Sequence, residues 1–392
     1  MKKQTLHDID KLEQIREVLV DNHEKFTNMG LLNGLLGVSL YHYYYYLYTE
    51  DENYLEGVIT YLEKSIEGLS NDYKGTHIVN DIMELGNYVT FLNECGLIDR
   101  EDVNALLVDS DAIVSTFMEN ELEKRNLDPI LGAIKAGYYF LNRNKFIDKK
   151  AELLKLLNAI QAQAIDKVDI IYWESTLKNI EKLKTELGIS HGVSGIVNFL
   201  LQTIVHKIPY EHTKELILGG LHFINIYIED AGVNKIRIEA DHPSKLKYQD
   251  IAYGDIGIGY TYVKAGTILN IKTLTETGIQ LINNAATFRD DENVYIKDGS
   301  LFYGTAGLSA MFSKINTELH SDALENVANY WGEKTMAMGN SNSKWAGYSS
   351  NYNAQHDYTH LSLSEGICGI GIMLMAQQKK LKHDYLQFFN LH

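Results

Sequence analysis

The residue with the clearest potential for chemistry is His191, which stands directly before a Gly-x-x-Gly step, Gly192-Val-Ser-Gly195. Two glycines three residues apart, ahead of an apolar segment, are typical of a loop that turns into a closely packed helix. The sequence therefore predicts that His191 lies at the N-terminus of a helix. An imidazole, whose ordinary pKa is about 6.5, is well suited to proton transfer near neutral pH.

Variants of this step occur at seven places along the chain. They are Gly34-Leu-Leu-Gly37, Met83-Glu-Leu-Gly86, Gly132-Ala-Ile-Lys135, Gly192-Val-Ser-Gly195, Gly254-Asp-Ile-Gly257, Gly304-Thr-Ala-Gly307 and Gly366-Ile-Cys-Gly369. Successive steps are roughly 50 to 60 residues apart, which is enough for two helices and their loops. The spacing therefore indicates a protein built from helical repeats.

Further helical segments lie between the steps and supply the second helix of each repeat. They include Glu101–Met118, Asn142–Ile165, Glu211–Glu229 and Ala323–Met336, and an amphipathic helix at residues 6–21 precedes the first step. Helical hairpins can stack as an open solenoid or close into a ring. Because all the steps mark the same end of one helix set, we predict an all-α (α/α)7 toroid. In this double ring of seven inner and seven outer helices, formed by a single domain over residues 1–392, the inner N-termini point at a central cavity.

The composition excludes several classes of function. The net charge of −16 disfavours binding to nucleic acid or to an anionic membrane surface. Two cysteines, Cys95 and Cys368, cannot form a disulfide framework and indicate a reducing compartment. The first residues lack a signal-peptide pattern, and no apolar run approaches the roughly 18 residues of a membrane span. We therefore expect a soluble cytoplasmic protein.

The repeats and the sequence Ser190-His-Gly192 resemble those of the lanthionine synthetase C-like family over about residues 20 to 380. The resemblance implies an α/α toroid that acts on a precursor peptide, in some cases alongside a dehydratase. In the reaction of that family, the thiol of a peptide cysteine adds to a dehydroalanine or dehydrobutyrine and closes a thioether ring.

The zinc ligands of that family are replaced in this chain. In a typical member, the fifth repeat begins Trp-Cys-Tyr-Gly and the sixth begins Cys-His-Gly, and those two cysteines and the histidine hold a zinc ion that binds the substrate thiolate. Here Ala252, Phe302 and Tyr303 stand at the three positions. Neither Ala252 nor Phe302 can coordinate a metal, and a single phenol is a poor zinc ligand.

A relocated zinc site would have to use other residues. His356 and His360 are four residues apart, and Asp255 lies near the lost cysteine position in the sequence. A His-x-x-x-His pair without a third matched ligand is usually an ordinary surface or packed pair. We therefore predict that the protein has no metal ligands and no cofactor.

The resemblance assigns catalytic positions to Asp128, His191 and Tyr253, and Tyr303 is a further candidate. Asp128 matches the Asp-x-x-x-Gly pattern of the third repeat, and His191 matches the catalytic histidine of the fourth. Without zinc, His191 would transfer the protons and Asp128 would orient it or stabilise its charged form. Each has a structural alternative: His191 could cap a helix, Asp128 could be an N-cap before Pro129, and Tyr303 could be a proton donor or a plug of the cavity.

Three other features have simpler interpretations. Glu365 and Cys368 in the last repeat are interpreted as capping and packing residues. Residues 338–356, rich in Gly, Ser, Asn and Tyr, are interpreted as a long flexible loop over the cavity.

Three functions remain open on the sequence. The first is a zinc-independent cyclase of lanthipeptide biosynthesis. The second is an inactive relative that binds a precursor peptide or a partner dehydratase. The third is an α/α-toroid glycoside hydrolase or lyase, which would need paired carboxylates, and only Asp128 and Asp255 are candidates.

Overall fold

The computed structural model describes residues 2–70, 72–175, 185–230, 232–240, 249–289, 296–382 and 384–392. They form two compact units. Unit 1 comprises Met1–Leu85 and Ile296–Phe389, and unit 2 comprises Gly86–Tyr295 and Asn390–His392. That residues 1–392 form a single domain stays a prediction.

Helices account for most of the described residues. In chain order they are α1 (Lys2–Asp21), α2 (Leu36–Thr49), α3 (Leu55–Gly68), α4 (Ile78–Glu94), α5 (Arg100–Glu123), α6 (Ala133–Arg143), α7 (Lys150–Gln163), α8 (Val193–Val205), α9 (Thr213–Asn225), α10 (Asp255–Leu269), α11 (Lys272–Thr287), α12 (Thr305–Leu319), α13 (Asp322–Met338), α14 (Asp357–Leu361) and α15 (Ile367–Lys379). One antiparallel hairpin pairs β1 (Ile165–Lys167) with β2 (Ile170–Tyr172). Within the described ranges, no helix is long and apolar enough to cross a membrane.

The helices that follow the glycine steps are buried on all sides, whereas their partners are amphipathic. In α8 every residue from Val193 to Thr203 is buried. In α11, by contrast, the buried residues recur at helical spacing along one face, at Leu274, Gly278, Leu281, Ile282 and Ala285. A helix that is apolar all round needs neighbours on every side, while an amphipathic helix covers a core and faces water. This alternation agrees with the predicted inner and outer helices.

Most of the predicted helix starts are confirmed. Helices α6, α8, α10, α12 and α15 begin at the residue after the first glycine of a step, and that glycine is the N-cap residue. The first glycine is required because the loop folds back onto it. A Cβ atom on Gly192 would lie 2.4 Å from the carbonyl oxygen of Glu186, and one on Gly304 would lie 2.3 Å from the amide nitrogen of Ser300. Gly254 also has a φ of 113°, which strongly favours glycine.

The second glycine of a step packs against the loop of the preceding repeat. In unit 2, a Cβ atom on Gly195 would lie 2.7 Å from Cγ of Pro129, and one on Gly257 would lie 3.2 Å from Cγ2 of Ile189. In unit 1, a Cβ atom on Gly369 would lie 3.0 Å from Cβ of Leu301. The steps therefore bring the loops of successive repeats together within each unit.

Two of the predicted segments are wrong. The step Met83–Gly86 is not a helix start, because it lies inside α4, where Gly86 leaves room for the ring of Tyr139. The predicted helix Asn142–Ile165 is interrupted after Arg143 and resumes at α7. The Asn144 side chain accepts a hydrogen bond from the amide of Lys149, which stabilises the intervening turn.

Candidate functional site

His191 occupies a tight turn immediately before α8. The amide of Gly192 donates to the carbonyl of Gly188, and the amide of Val193 donates to the carbonyl of Glu186. The loop therefore folds back on itself, and α8 begins at Val193. The predicted placement of His191 just ahead of a helix N-terminus is confirmed.

Asp128 is fixed by its own turn and holds His191. Its Oδ1 atom accepts hydrogen bonds from the amides of Ile130 and Leu131, each at 2.8 Å. Its Oδ2 atom lies 2.8 Å from Nδ1 of His191. Because α6 begins at Ala133, the alternative of Asp128 as the helix N-cap before Pro129 is wrong, and the carboxylate caps the preceding turn. The same carboxylate therefore has a structural contact and an orienting one.

The contact with Asp128 determines the protonation of His191. Burial lowers the pKa of His191, but the hydrogen bond to Asp128 and the negative charges of Asp128 and Glu186 outweigh burial, so its pKa is raised above the ordinary value. A carboxylate only accepts hydrogen bonds, so Nδ1 carries the proton that is shared with Asp128. Nε2 makes no hydrogen bond to any described residue, and 18% of the His191 side chain is exposed. Nε2 is therefore the atom that can exchange a proton with a bound molecule.

The loop that carries Tyr253 lies against the loop that carries His191. A Cβ atom on Gly188 would lie 3.3 Å from the carbonyl oxygen of Ala252. Asp250 shapes the Tyr253 loop, since its Oδ1 atom accepts a hydrogen bond from the amide of Tyr253. Sequence reasoning missed Asp250, although it precedes its glycine by four residues, as Asp128 does. A repeated Asp-x-x-x-Gly pattern was the available signal.

Phe302 and Tyr303 belong to unit 1 and are part of an aromatic cluster. The ring centroid of Tyr303 lies 4.3 Å from that of Tyr352 and 4.8 Å from that of Phe302. Phe302 in turn stacks on Phe389 at 5.7 Å. These contacts favour the interpretation of Tyr303 as a packed side chain, and its role as a proton donor stays a prediction.

The residues considered for a relocated metal site make other contacts. Nδ1 of His360 accepts a hydrogen bond from the amide of Ser350, and Nε2 of His360 lies 3.1 Å from the carbonyl oxygen of Ala354. The ring of His356 stacks on Tyr358 at 5.1 Å. Within the described part of the chain, no three His, Cys, Asp or Glu side chains are grouped so that they could hold a metal ion.

The carboxylate of Asp255 stabilises a neighbouring loop. It accepts hydrogen bonds from the amides of Lys235 at 2.7 Å and Ile236 at 3.1 Å, and from the side chain of Asn284 at 3.3 Å. Asp128 is similarly engaged with its own turn and with His191. This geometry gives no support to a glycoside hydrolase that uses the two as a carboxylate pair.

Asp255 should make stability fall as the pH rises. Burial raises its pKa to about 6, against the hydrogen bonds that lower it. Because this value exceeds the ordinary one, the stability that the protonated carboxyl contributes is full below pH about 4 and is lost as the pH rises through about 6. We expect the free energy of unfolding of wild type, relative to Asp255→Asn, to fall by on the order of 2 kcal/mol over this range. Urea denaturation at several pH values measures this, and the exposed first residue of α13 gives the control Asp322→Asn. Parallel curves for wild type and Asp255→Asn would contradict the prediction.

Of the predicted loop at residues 338–356, Met338 is the last residue of α13 and residues 339–356 contain no helix. The segment is not simply an exposed loop. Trp345 and Tyr348 are buried and form an isolated bridge. The ammonium group of Lys11 donates to the carbonyls of Gly339 and Ala346. In the last repeat, Glu365 accepts a hydrogen bond from Asn353, and the thiol of Cys368 donates to the carbonyl of Gly37. These contacts agree with the packing role expected for the two residues, but Gly366 and not Glu365 is the N-cap residue of α15.

Comparisons with known proteins agree with this description. A family model described as "Lanthionine synthetase C-like protein" matches residues 25–296. A solved structure named "Nisin cyclase" matches with a TM-score of 0.75 at 16% sequence identity, over 97% of this chain and 96% of that chain. No curated protein matches the sequence. The structural match confirms the predicted fold class, an all-α (α/α)7 toroid.

Proposed function

Because the chain belongs to the lanthionine synthetase C-like family, we propose that it is a lanthipeptide cyclase-like protein that works without zinc. It adds the thiols of peptide cysteines to dehydroamino acids and so forms thioether rings. The observation that carries this proposal is the 2.8 Å contact between His191 and Asp128, next to the Tyr253 loop. The likeness to nisin cyclase supports a peptide substrate.

The proposed reaction needs two proton transfers and no oxidant. Nε2 of His191 takes the proton of the cysteine thiol, whose ordinary pKa is about 8.5. The sulfur then bonds to the β-carbon of the dehydroamino acid, and the electrons of the double bond move into an enolate. The imidazolium returns the proton to the α-carbon, so His191 is neutral again after each cycle. Asp128 stabilises the imidazolium while it exists.

The residues at the family's zinc positions do not fit a zinc ion. Ala252 is buried and has no donor atom in its side chain. The ring of Phe302 has none either, and the phenol ring of Tyr303 packs on Tyr352. Zinc prefers thiolate, imidazole and carboxylate ligands, and none is present at these three positions. This donor set supports a reaction that depends on His191.

Metal-stripped protein tests the proposal directly. It is incubated with a dehydrated peptide that contains one cysteine, and the remaining thiol is counted by alkylation and mass spectrometry. We expect the thiol to disappear faster than in a sample without protein, with unchanged peptide mass, because addition loses no atoms. Elemental analysis before stripping should show less than one zinc per chain. Stoichiometric zinc, together with activity that vanishes on stripping and returns with zinc, would refute the zinc-independent reaction.

An inactive binding protein for a precursor peptide or a dehydratase is the second candidate. The packing of Tyr303 among aromatic side chains favours it. Tyr303 stands where the family has a zinc ligand, and a side chain that only fills this position by packing has no part in catalysis. Two results together would support this alternative. The wild-type protein would close no rings, and the His191→Ala variant would bind the peptide as well as wild type does.

A further inference from the structure

The segment Asn390–His392 belongs to unit 2 and packs among the helices that follow the glycine steps. Leu391 is fully buried. The ring of His392 stacks on Tyr138 of α6 at 5.3 Å with an interplanar angle of 16°. The hydroxyl of Tyr260 in α10 donates a hydrogen bond to the carbonyl of His392. These contacts of Leu391 and His392 hold the segment in place and do not involve the Asn390 side chain.

Asn390 connects this segment to the loop of Asp128. Its carbonyl oxygen accepts a hydrogen bond from the side chain of Asn198 in α8. Its own Nδ2 atom donates to the carbonyl oxygen of Pro129 at 3.3 Å. Asn390 has a φ of 62°, in the left-handed region where asparagine is among the better tolerated residues. The side-chain amide of Asn390 thus contacts the residue that follows Asp128.

Pro129 is held from two sides. On one side its ring packs on the first turn of α8, where a Cβ atom on Gly195 would lie 2.7 Å from Cγ of Pro129. On the other side its carbonyl oxygen accepts the hydrogen bond from Asn390. The turn that begins at Asp128 is thus fixed relative to α8, and α8 starts two residues after His191. A shift of Pro129 away from α8 would change the distance between Asp128 and His191.

We propose that Asn390 is a positioning residue, which holds the Pro129 carbonyl and thereby keeps Asp128 within hydrogen-bond distance of His191. The proposal rests on the proposed function for its catalytic consequence, although the geometry itself can be tested without any turnover. A supporting residue of this kind matters because a catalytic pair loses efficiency when its geometry relaxes by a fraction of an ångström.

The full-length variant Asn390→Gly removes the donor and keeps a backbone that tolerates the left-handed conformation. Asn390→Asp is the isosteric variant without the donor. The matched control is Asn270→Gly, because Asn270 is an exposed asparagine with a φ of 56° at the end of α10. The readout is the titration of the His191 imidazole by NMR, with Asp128→Asn as the reference for a lost partner.

We expect the pKa of His191 to fall in Asn390→Gly, in the same direction as in Asp128→Asn, and to stay at the wild-type value in Asn270→Gly. The new charge of Asn390→Asp would by itself raise the pKa of His191, so a fall in that variant as well excludes a direct charge effect. In the Asp128→Asn background, Asn390→Gly should cause no further fall. That coupling separates positioning from a general loss of stability.

Two results would distinguish the possible failures. If Asn390→Gly leaves the His191 titration unchanged while Asp128→Asn lowers it, the positioning role is wrong, whether or not the protein closes rings. If the titration shifts as expected but wild type forms no thioether, the positioning role stands and the proposed function fails. With both correct, kcat falls in Asn390→Gly while KM changes little, because the substrate contacts are intact.

Discussion

Ring closure by the His191→Ala variant is expected to be about 10²–10⁴-fold slower than by wild type, the range that general acid–base groups contribute. The variant loses Nε2, the atom that takes the thiol proton and returns it to the α-carbon. It should still fold, because the turn before α8 is held by backbone hydrogen bonds from Gly192 and Val193. The measurement is kcat/KM for a dehydrated peptide, with circular dichroism as the check on folding.

The pH dependence of the rate of ring closure tests the role of Asp128 as the partner of His191. Burial lowers the pKa of His191, and the hydrogen bond to Asp128 is part of what nevertheless raises it. As a base, His191 acts in its neutral form, so the rate should rise as the pH passes through this raised pKa. Asp128→Asn should move that rise to lower pH, because burial then dominates, and it should also lower the maximum rate. Wild-type rates in His191→Ala, or an unshifted profile in Asp128→Asn, would contradict the assigned roles.

The sequence was most informative where a backbone constraint fixes a residue type. The first glycine of a step is required because backbone atoms of the preceding loop occupy the position of a Cβ atom, as at Gly192 and Gly304. Such sites mark helix starts, and six of the seven predicted steps lie at one. The exception, Met83–Gly86, has its glycine inside α4 for a different reason, the approach of the Tyr139 ring. The presence of a glycine in the sequence therefore does not show whether it lies in the loop before a helix or inside a helix that another side chain approaches closely.

Contacts between distant segments could not be derived from local patterns. His191 and Asp128 were both candidates, but their contact spans 63 residues and joins two loops that also meet where Pro129 packs on Gly195. Asn390 lies 261 residues from Pro129 and has no local signal beyond a residue type that tolerates positive φ. The roles of Tyr253 and Tyr303 as catalytic residues stay predictions.

A second large effect is expected in the buried ionic network between α5 and α6. Asp111 accepts hydrogen bonds from Nε of Arg143 at 2.9 Å, from a terminal nitrogen of Arg143 at 3.1 Å and from the hydroxyl of Tyr139 at 2.7 Å. The Arg143 side chain is only 1% exposed. The buried positive charge of the guanidinium is therefore balanced mainly by the carboxylate of Asp111, and Asn104 accepts a further hydrogen bond from it.

Asp111→Ala should lower the free energy of unfolding by about 3–5 kcal/mol, because it leaves the charge of Arg143 buried without its counterion. Burial raises the pKa of Asp111, but the hydrogen bonds from Arg143 and Tyr139 and nearby positive charge outweigh it, so the pKa is lowered. Its stabilisation is therefore full above the ordinary pKa of aspartate and is lost as the pH falls through the lowered value. Urea denaturation at neutral and acid pH measures both effects, and the exposed Asp109→Ala on the same helix is the control.

The double variant Asp111→Leu with Arg143→Met distinguishes the cost of leaving Arg143 without a counterion from the contribution of the ion pair itself. Removing both charges leaves no buried guanidinium without a counterion, and Lys149, which lies 3.3 Å from Asp111, keeps Glu152 as a partner. The double variant should therefore be more stable than Asp111→Ala, even though it lacks the Asp111–Arg143 salt bridge. Arg143 is the last residue of α6, at the opposite end of that helix from the Asp128 turn. The double variant should therefore still catalyse ring closure at temperatures where it stays folded. A double variant less stable than Asp111→Ala would show that the network stabilises the fold beyond compensating Arg143.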